Sequence, residues 1–294
     1  MNSSAEENSI DLSIIILNYN TKKLTEQAVK SIEISTFGLN YEIIIVDNSN
    51  KEDEVFKCPV NSADIHCIKI ENKGFSNGCN LGASFARGNC FLFLNSDVIM
   101  HPFTLKRSLD YLKAHPEAGA LGVKILLSDG TMDHGCRRGF PTPINSLFYF
   151  FGLDKKYPEN PKFGGYRLNY LDENEISEVD AVSGAFIMMP RPIFEQLKGF
   201  DEKFFMYGED LDLCYRVKEA GYKVVYYPKA TMLHLKGQSG LNTKNKLVQY
   251  HFYNSMIIFY DKHYGKKYNA LVRFLAHIAI RLKYLIQKKP ESNR

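Results

Sequence analysis

Acidic and amide side chains stand at three places where predicted strands end. Asn18 and Asn20 follow one apolar run, Asp47 follows a second, and Asn95-Ser96-Asp97 follows a third. In an open α/β sheet, ligands bind beyond the carboxyl ends of the strands, so these side chains are candidates for one polar site. Asn and Asp are also common turn residues, and spacing alone leaves that interpretation open. Asp97 offers the hard oxygen that Mg²⁺ or Mn²⁺ takes beside substrate phosphates.

A second acidic cluster, Glu209-Asp210-x-Asp212, opens a predicted helix. Acids are common in the first turn of a helix because of its dipole, and Asp212 with Arg216 could be an ordinary i, i+4 pair. The cluster also follows a run of aromatic residues that could shield a carboxylate from solvent. A partly desolvated carboxylate has a raised pKa and is a better general base, so we predict a base in this cluster.

Two further segments give weaker signals. His234 follows a short predicted strand in the pattern His234-x-x-Gly237-x-Ser239-Gly240, and in isolation a core histidine is the commoner interpretation than a metal or phosphate ligand. The Gly-rich segment 72–78 opens a helix and could bind phosphate, but it matches neither the dinucleotide nor the Walker pattern.

The elements that must position these residues alternate between strands and helices. Apolar runs at 12–17, 41–46, 65–70, 90–94 and 118–127 predict buried strands, with helices between the early strands. A strand over 179–189, broken at Ser183-Gly184, precedes a helix over 209–220, two short strands and helices over 247–263 and 268–287. The Pro- and Gly-rich segment 140–178 is predicted to be irregular, either a lid or a disordered insertion.

Composition limits the class of protein. The chain has 294 residues, of which 45% are hydrophobic and 24% charged, which excludes disordered, collagen-like and coiled-coil architectures. No 18-residue stretch is free of charge, which argues against a polytopic membrane protein. Residues 1–11 show no signal-peptide core, and the six Cys show no CxxC pair, so we expect buried reduced thiols in the cytoplasm.

The charge is concentrated near the end of the chain. Residues 266–294 hold eight Lys or Arg and one Glu, a net charge of +7 in a chain of net charge +4. This distribution argues against a nucleic-acid-binding body and favours a tail that touches anionic lipid. The apolar helix over 268–287 has a thin polar stripe and fits an interfacial helix, with a packed terminal helix or a homodimer interface as the alternative.

Seven segments, taken in order, resemble the family-2 glycosyltransferases with the GT-A fold, and most of all their bacterial rhamnosyltransferase-like branch. The resemblance covers residues 11–240 and rests on SIIILNYN (13–20), IIIVDNSN (43–50), ENKGFSNGCNLGA (71–83), FLFLNSDV (91–98), VSGAFIMMPR (182–191), GFDEKFFMYGEDLDLCYR (199–216) and HLKGQSG (234–240). It implies an α/β catalytic domain over 1–240, with a Rossmann-like mixed sheet flanked by helices. Within it, 11–100 would bind the nucleotide and 101–240 the acceptor, and 241–294 would be a basic, amphipathic helical extension.

The resemblance also implies roles for matching residues. Asp210 would be the general base, and Asp97 and His234 would hold Mg²⁺ or Mn²⁺ against the diphosphate. Sugar and acceptor contacts would come from Ser183, Gly184, Ala185 and Glu209. Contacts to the nucleotide sugar would come from Asn18, Tyr19, Asn20, Asp47, Asn72, Gly74, Phe75, Asn77, Asn80, Asn95 and Ser96. Asn95 replaces the first acid of the family's DxD motif and so removes one charge from the site.

The implied activity is inverting transfer of a sugar, with L-rhamnose as the best guess, in cell-surface polysaccharide synthesis. The donor would be dTDP-rhamnose or a UDP-sugar, and the acceptor a glycan or a polyprenyl-diphosphate-linked glycan. The protein would be cytoplasmic and peripheral on the inner membrane, held there by its basic C-terminal helix. The alternatives are a sugar-nucleotidyltransferase, whose Gly- and Lys-rich triphosphate loop is missing from 12–20, and a non-catalytic nucleotide-sugar-binding protein.

Overall fold

The structure is a computed structural model that describes residues 9–36, 38–59, 64–235 and 246–287. The first half of the chain alternates strands with helices, and the second half adds short strands and the C-terminal helices. In chain order the elements are β1 (Leu12–Asn18), α1 (Lys22–Ser35), β2 (Tyr41–Asp47), β3 (Ile65–Lys69), α2 (Phe75–Phe85), β4 (Cys90–Leu94), β5 (Val98–Met100), α3 (Thr104–Ala114), β6 (Ala118–Leu126), β7 (Arg137–Arg138), α4 (Pro143–Phe150), α5 (Leu153–Lys156), β8 (Ser177–Val179), β9 (Ala181–Val182), β10 (Phe186–Pro190), α6 (Arg191–Gln196), α7 (Glu209–Glu219), β11 (Lys223–His234), α8 (Lys246–Tyr264) and α9 (Ala270–Gln287).

Within these residues a nine-stranded mixed sheet has the order β3-β2-β1-β4-β10-β6-β11-β5, with β8 paired to β11. The strands β3, β2, β1 and β4 are parallel, and β10 runs antiparallel to β4 and β6. The register pairs Asn18 with Asp47 and Asp47 with Lys69. Asn18 and Asp47 therefore end two neighbouring parallel strands at the same carboxyl edge of the sheet, as the sequence predicts, and Lys69, which was not predicted, ends β3 beside them.

The core of the sheet consists of the Ile-rich strands β1 and β2. Ile14, Ile15 and Ile16 in β1 are fully buried, as are Ile43 and Ile44 in β2, because helices cover both faces. Strands buried on both faces are continuous apolar runs, which explains why they are recognisable from sequence.

Helix α2 lies unusually close to the sheet. A Cβ at Gly78 would lie 2.4 Å from Leu17 Cδ1, and one at Gly82 would lie 2.6 Å from Ile15 Cγ2. Such separations are shorter than real carbon contacts, so a side chain at Gly82 would displace Ile15 and one at Gly78 would displace the end of the Leu17 side chain. The close approach places the N-terminus of α2, and the Gly-rich segment before it, directly above the strand ends.

The segment 140–178 is more ordered than predicted. It contains helices α4 and α5 where the sequence suggests irregular structure. Thr142 caps α4 by accepting a hydrogen bond from the backbone N–H of Asn145, and Pro143 takes the first helical position, where its missing N–H costs nothing. The many prolines and glycines conceal this helix start from a pattern-based prediction.

Three smaller differences concern element boundaries. The sequence predicts a helix over 77–86, and α2 begins two residues earlier, at Phe75. Strand β11 is one strand where two were expected, with a register shift between Tyr227 and Thr231. The short elements β5 and α6 were not predicted. None of these differences moves a candidate site residue out of its expected place at a strand end or helix start.

The expectation of six free thiols is wrong. Cys58 and Cys67 form a disulfide, with their Cα atoms 5.8 Å apart, between the segment after β2 and strand β3. The predicted buried free thiols are confirmed for the other four cysteines, Cys79, Cys90, Cys136 and Cys214. The pairing arises because residues 58 and 67 flank the entry into β3, a proximity that cysteine spacing alone does not reveal.

The C-terminal helices pack as a pair. Helix α8 contacts both α7 and α9, and α9 follows it after a short turn. In the described parts of the chain, no helix combines the length and the apolar character needed to cross a bilayer. Residues 236–240 of the predicted His234 motif, and 288–294 of the basic tail, lie outside the described residues.

Candidate active site

Asn18, the last residue of β1, hydrogen-bonds to several neighbouring side chains. Its side chain is fully buried, its Nδ2 donates to Asp47 Oδ2 at 2.6 Å, and its Oδ1 accepts from the hydroxyls of Thr21 and Thr25 at 3.0 and 2.8 Å. Thr21 therefore uses its hydroxyl to join β1 to α1 and does not cap the helix with it. These contacts make Asn18 a positioning residue for Asp47 and leave its predicted nucleotide contact untested.

Asp47 is held by four donors from the protein. Besides Asn18 Nδ2, its carboxylate accepts from Lys69 Nζ and the backbone N–H of Phe56, both at 2.7 Å, and from the N–H of Ser49 at 3.0 Å. Burial alone would raise the pKa of Asp47, but the hydrogen bonds from Lys69 and Phe56 outweigh it and lower the pKa. The strand end therefore carries an ionised, rigid carboxylate.

Asn20 stabilises the loop that follows β2. Its backbone has a positive φ of 56°, and its Oδ1 accepts from the N–H groups of Asn50 and Lys51 at 3.2 Å. Tyr19 is half-buried beside it. Both residues stand at the carboxyl edge of the sheet, where the sequence places them, and their contact with a nucleotide remains a prediction.

The Gly-rich segment before α2 is hydrogen-bonded to the residues that precede α7. The N–H of Phe75 donates to the carbonyl of Phe205 at 2.7 Å, and Asn72 Oδ1 accepts from Asn48 Nδ2 and the N–H of Gly74 at 3.0 and 3.1 Å. Gly74 has a φ of +99°, and a Cβ there would lie 2.4 Å from Phe205 O. Only glycine fits this position, so the segment has a fixed shape.

Asn77 and Asn80 extend the same connection. Both donate to the carboxylate of Glu202, at 2.9 and 3.0 Å, and Asn80 Oδ1 also accepts from the N–H of Phe200 at 2.8 Å. The first turns of α2 are thus bonded to the stretch that leads into the acidic helix α7. Asn80 thus supports this connection, and its contact with the nucleotide sugar stays a prediction.

The third strand end carries Asp97, which is buried beside His234. Asp97 Oδ1 lies 3.1 Å from His234 Nε2, and Asp133 Oδ2 lies 3.7 Å from His234 Nδ1. Burial would lower the pKa of His234, but the carboxylates of Asp133 and Asp97 beside its two ring nitrogens outweigh it and raise the pKa to about 9. The two carboxylates thus favour the protonated imidazole, and a metal ion at Nε2 would have to replace the proton there.

These residues fit a divalent cation that takes most of its ligands from a substrate. Asp97 supplies the carboxylate oxygen that Mg²⁺ and Mn²⁺ prefer, and His234 Nε2 lies beside it at 3.1 Å, so these two side chains would be the protein's ligands. Asp133 would then orient the imidazole from behind. Within the described residues, no group of three or more His, Cys, Asp or Glu side chains is arranged to hold a metal, so a diphosphate would have to complete the set.

Asp210 begins the helix on the other side of the site. Its Oδ2 pairs with Arg138 Nη2 and accepts from the N–H of Gly184 at 3.0 Å, while its Oδ1 accepts from the N–H of Leu211 at 2.7 Å. Each of these donors stabilises a carboxylate anion and fixes its orientation. Together these donors fix the orientation of the Asp210 side chain, and its role as the general base stays a prediction.

The carboxyl group of Glu209 has a different environment from that of Asp210. It is buried, and its Oε2 has no hydrogen-bond partner within the described part of the chain. Burial and the nearby charge of Asp210 raise the pKa of Glu209. Burial and the charge of Asp210 therefore favour the neutral, protonated form of Glu209.

The segment Ser183-Gly184-Ala185 joins the two acidic clusters. The carbonyl of Ala185 accepts from the N–H of Asn95 at 3.2 Å, and the N–H of Gly184 donates to Asp210 at 3.0 Å. Ser96, next to Asp97, also lies 2.9 Å from Thr21 Oγ1. Consecutive residues thus touch the strand end that carries Asp97 and the helix start that carries Asp210, so this segment lies between the two acidic clusters.

Sequence reasoning missed Arg138 and Asp133. Arg138 is 72 residues from Asp210 and approaches it because β7 pairs with β9, just before Gly184. The only sequence signal for Arg138 was the consecutive pair Arg137-Arg138. Asp133 gave no signal.

The comparisons with known proteins agree in sequence and fold. The model of the family described as "Glycosyltransferase like family 2" matches residues 10–250. The chain is 36% identical over 172 residues to the N-acetylglucosaminyl-diphospho-decaprenol L-rhamnosyltransferase of Mycobacterium tuberculosis, a match that covers 58% of this chain and 55% of that protein. It is 26% identical over 226 residues to the rhamnosyltransferase WbbL of Escherichia coli, covering 72% and 79% of the two chains. The chain therefore spans about half the length of the mycobacterial relative.

Two solved structures share the fold. A mannosyltransferase from Pyrobaculum calidifontis, solved with GDP-Man and Mn²⁺, superposes with a TM-score of 0.58 at 13% identity over 96% of this chain and 73% of that chain. GalNAc-T7, solved with UDP, GalNAc and Mn²⁺, superposes with a TM-score of 0.56 at 14% identity over 95% and 56%. The expected GT-A fold with C-terminal helices is confirmed.

Proposed function

This chain belongs to the glycosyltransferase-like family 2, and from that premise we propose that it transfers a sugar from a nucleoside diphosphate donor to a glycan or lipid-linked glycan. L-rhamnose is the proposed sugar, because relatives from Mycobacterium tuberculosis and Escherichia coli are named rhamnosyltransferases. The mycobacterial relative's name also includes a diphospho-decaprenol acceptor, which supports a lipid-linked acceptor here. We propose that this sugar transfer takes place in polysaccharide synthesis.

One observation carries this proposal. Gly184 and Ala185 are consecutive, and they contact Asp210 on one side and Asn95 on the other, two residues before Asp97. A transferase of this kind needs a group that stabilises the departing diphosphate and a base that deprotonates the attacking alcohol. Both groups must lie next to the sugar that is transferred. The three-residue segment between the two clusters is the place where that sugar would lie.

The proposed mechanism is a single inverting displacement. An acceptor hydroxyl forms the new bond to the anomeric carbon while the bond from that carbon to the diphosphate oxygen breaks. Asp210 takes the hydroxyl proton, help that is worth about 10²–10⁴-fold. Arg138 and the Gly184 N–H hold the carboxylate in place, so little reorganisation is needed when the proton arrives.

A divalent cation is part of the proposal. Mg²⁺ or Mn²⁺ held at Asp97 and His234 would supply charge neutralisation to the leaving diphosphate. The Mn²⁺ in both solved neighbours supports this assignment. The nucleoside would lie over the carboxyl ends of β1 and β2, against Tyr19 and the segment that begins at Asn72, where the strand ends and the N-terminus of α2 meet.

The test combines binding with turnover. Nucleotide sugars are screened by thermal unfolding with Mg²⁺ or Mn²⁺, since a ligand that binds only the native state raises Tm. The best donor is then incubated with a polyprenyl-diphosphate-linked N-acetylglucosamine, and product is followed by mass spectrometry. We expect dTDP-rhamnose to give the largest shift and a product one deoxyhexose heavier.

Asp97→Ala is the matched variant for this test. We expect it to lose the metal-dependent part of donor binding while it keeps its fold. Donor binding without turnover against any acceptor would favour a nucleotide-sugar-binding protein over an enzyme. Release of pyrophosphate from a nucleoside triphosphate would favour a sugar-nucleotidyltransferase.

A further inference from the structure

Helix α9 exposes most of its apolar side chains. None of its described side chains is buried, although more than half are aliphatic or aromatic. Leu285, for example, is 55% exposed. The large apolar residues that stand exposed on α9 are Leu271, Phe274, Leu275, Ile278, Leu282, Leu285 and Ile286. Apolar surface gathered on one helix at this density marks an interaction site.

Helix α4 carries a second set of exposed apolar residues. Ile144, Leu147, Phe150 and Phe151 all project to solvent, and Phe150 is 54% exposed. This helix belongs to the segment for which the sequence suggested a lid or a disordered insertion. Its exposed residues are bulky, and such residues are uncommon on a surface that only faces water.

The two helices form one continuous face. Lys283 of α9 places its Nζ 4.8 Å from the ring centroid of Phe150 and 6.0 Å from that of Tyr149, both on α4. Residues more than 130 positions apart in the chain therefore lie side by side. We call the exposed apolar residues of α4 and α9, which meet at Lys283, the α4–α9 face.

The rim of the α4–α9 face is basic. Lys155, Lys156 and Lys162 follow α4, and Arg281 and Lys283 lie on α9. Two acids lie among these residues: Asp154 is buried in an ion pair with Arg167, and Glu159 is exposed, so the five basic side chains still outnumber the exposed acid. Basic side chains around an exposed apolar helix are the pattern of a helix that lies in the headgroup region of an anionic bilayer.

The α4–α9 face also connects to the candidate active site. Arg138, which pairs with Asp210, stands five residues before the start of α4. Asn145 of α4 donates back to the carbonyl of Phe140 at 3.0 Å, which fixes this short connection. A single segment thus contacts the proposed base at one end and presents apolar side chains at the other.

We propose that α4 and α9 together form a docking face for an anionic lipid bilayer, with α4 lying between the bilayer and Asp210. The face would hold the enzyme where a lipid-linked acceptor emerges from the membrane; this last point rests on the proposed function. A second copy of the chain would cover apolar surface equally well, but it would bring the basic rims of two copies together. Anionic lipid complements both the apolar centre and the charged rim.

The test is vesicle co-sedimentation of the full chain. The probes are phosphatidylcholine vesicles with about one third phosphatidylglycerol and, in parallel, vesicles of phosphatidylcholine alone. Phe150→Asp alters α4, Leu285→Asp alters α9, and Ile34→Asp is the control, because Ile34 is 71% exposed on α1. All three replace exposed side chains, so each variant is expected to fold, and thermal unfolding verifies it.

We expect each of the two face variants to lose at least tenfold in vesicle affinity, and Ile34→Asp to stay within twofold of the parent chain. Binding should be stronger to the anionic vesicles and weaken as salt rises. Parent-level binding by Phe150→Asp would overturn the role of α4. Equal binding to neutral and anionic vesicles would overturn the membrane assignment. The assignment would also be overturned if the parent chain is a dimer, both face variants dissociate it, and vesicle binding does not change. No donor or acceptor is present, so a failed proposed function and a failed docking face are distinguishable.

Discussion

Substitution of Asp212 by Asn is expected to destabilise the protein strongly. Asp212 lies in α7, two residues after Asp210, and is fully buried. Its Oδ1 lies 2.6 Å from Lys262 Nζ and 2.8 Å from His263 Nε2, both on α8, and its Oδ2 accepts from Arg216 Nε at 2.8 Å. This one carboxylate therefore fixes the C-terminal helix α8 to the helix that carries the proposed base.

The magnitude follows from burial. Asn preserves the shape of the side chain but removes its charge, and it leaves Arg216, Lys262 and His263 without their shared counter-ion. Removal of one partner from a buried ion pair typically costs about 3–5 kcal/mol. At about 2 °C per kcal/mol for a chain of this size, Tm should fall by about 6–10 °C.

The effect should also depend on pH. Burial would raise the pKa of Asp212, but the hydrogen bond from His263 and the charges of Arg216 and Lys262 lower it overall. A carboxyl whose folded pKa lies below its unfolded value stabilises the fold above the unfolded pKa of about 3.9. The Tm difference between the parent and Asp212→Asn should therefore be complete near pH 7 and shrink as pH falls below about 4.

Asp110→Asn is the matched control. Asp110 pairs with Lys106 at the same i, i+4 spacing on α3, but both side chains are exposed. Exposed pairs of this kind contribute about 0.5 kcal/mol or less, so Tm should change by about 1 °C. The assay is thermal unfolding followed by circular dichroism. A Tm for Asp212→Asn within 2 °C of that for Asp110→Asn would refute the reasoning.

Two further predictions concern the candidate site. Because the pKa of Glu209 is raised in the fold, the parent should lose stability relative to Glu209→Gln as pH rises from about 5 to about 8, and parallel Tm profiles would contradict this assignment. Gly74→Ala should lower Tm and weaken nucleotide-sugar binding more than tenfold, because the added Cβ would meet Phe205 O. Gly130→Ala is the control, since Gly130 also has a positive φ but no atom near the position of the added Cβ. Equal losses in the two variants would show that backbone conformation alone matters.

Much of the sheet was predictable because its strands are buried on both faces. Continuous runs such as Ile14–Ile15–Ile16 have no other simple interpretation, and the polar residues that end them mark the carboxyl edge. The pair of Asp212 and Arg216 was also predictable from its i, i+4 spacing and is confirmed. These features depend on local periodicity, which a sequence displays directly.

The contacts that make the site were not predictable in the same way. Arg138 meets Asp210 across 72 residues, and His234 meets Asp97 across 137, through pairings of strands that are distant in the chain. No local pattern encodes such a contact. Helix α4 was missed for a different reason, since its capping Thr142 and Pro143 lie among residues that usually indicate a loop.

The central claim is that Asp210 deprotonates the acceptor at a site shared with Asp97, and Asp210→Asn tests it most directly. Donor affinity is measured by calorimetry and transfer by single-turnover kinetics on the same preparation. We predict donor affinity within threefold of the parent and a transfer rate lower by about 10²–10⁴-fold. A folded Asp210→Asn variant that binds donor and transfers sugar within tenfold of the parent rate would contradict the claim.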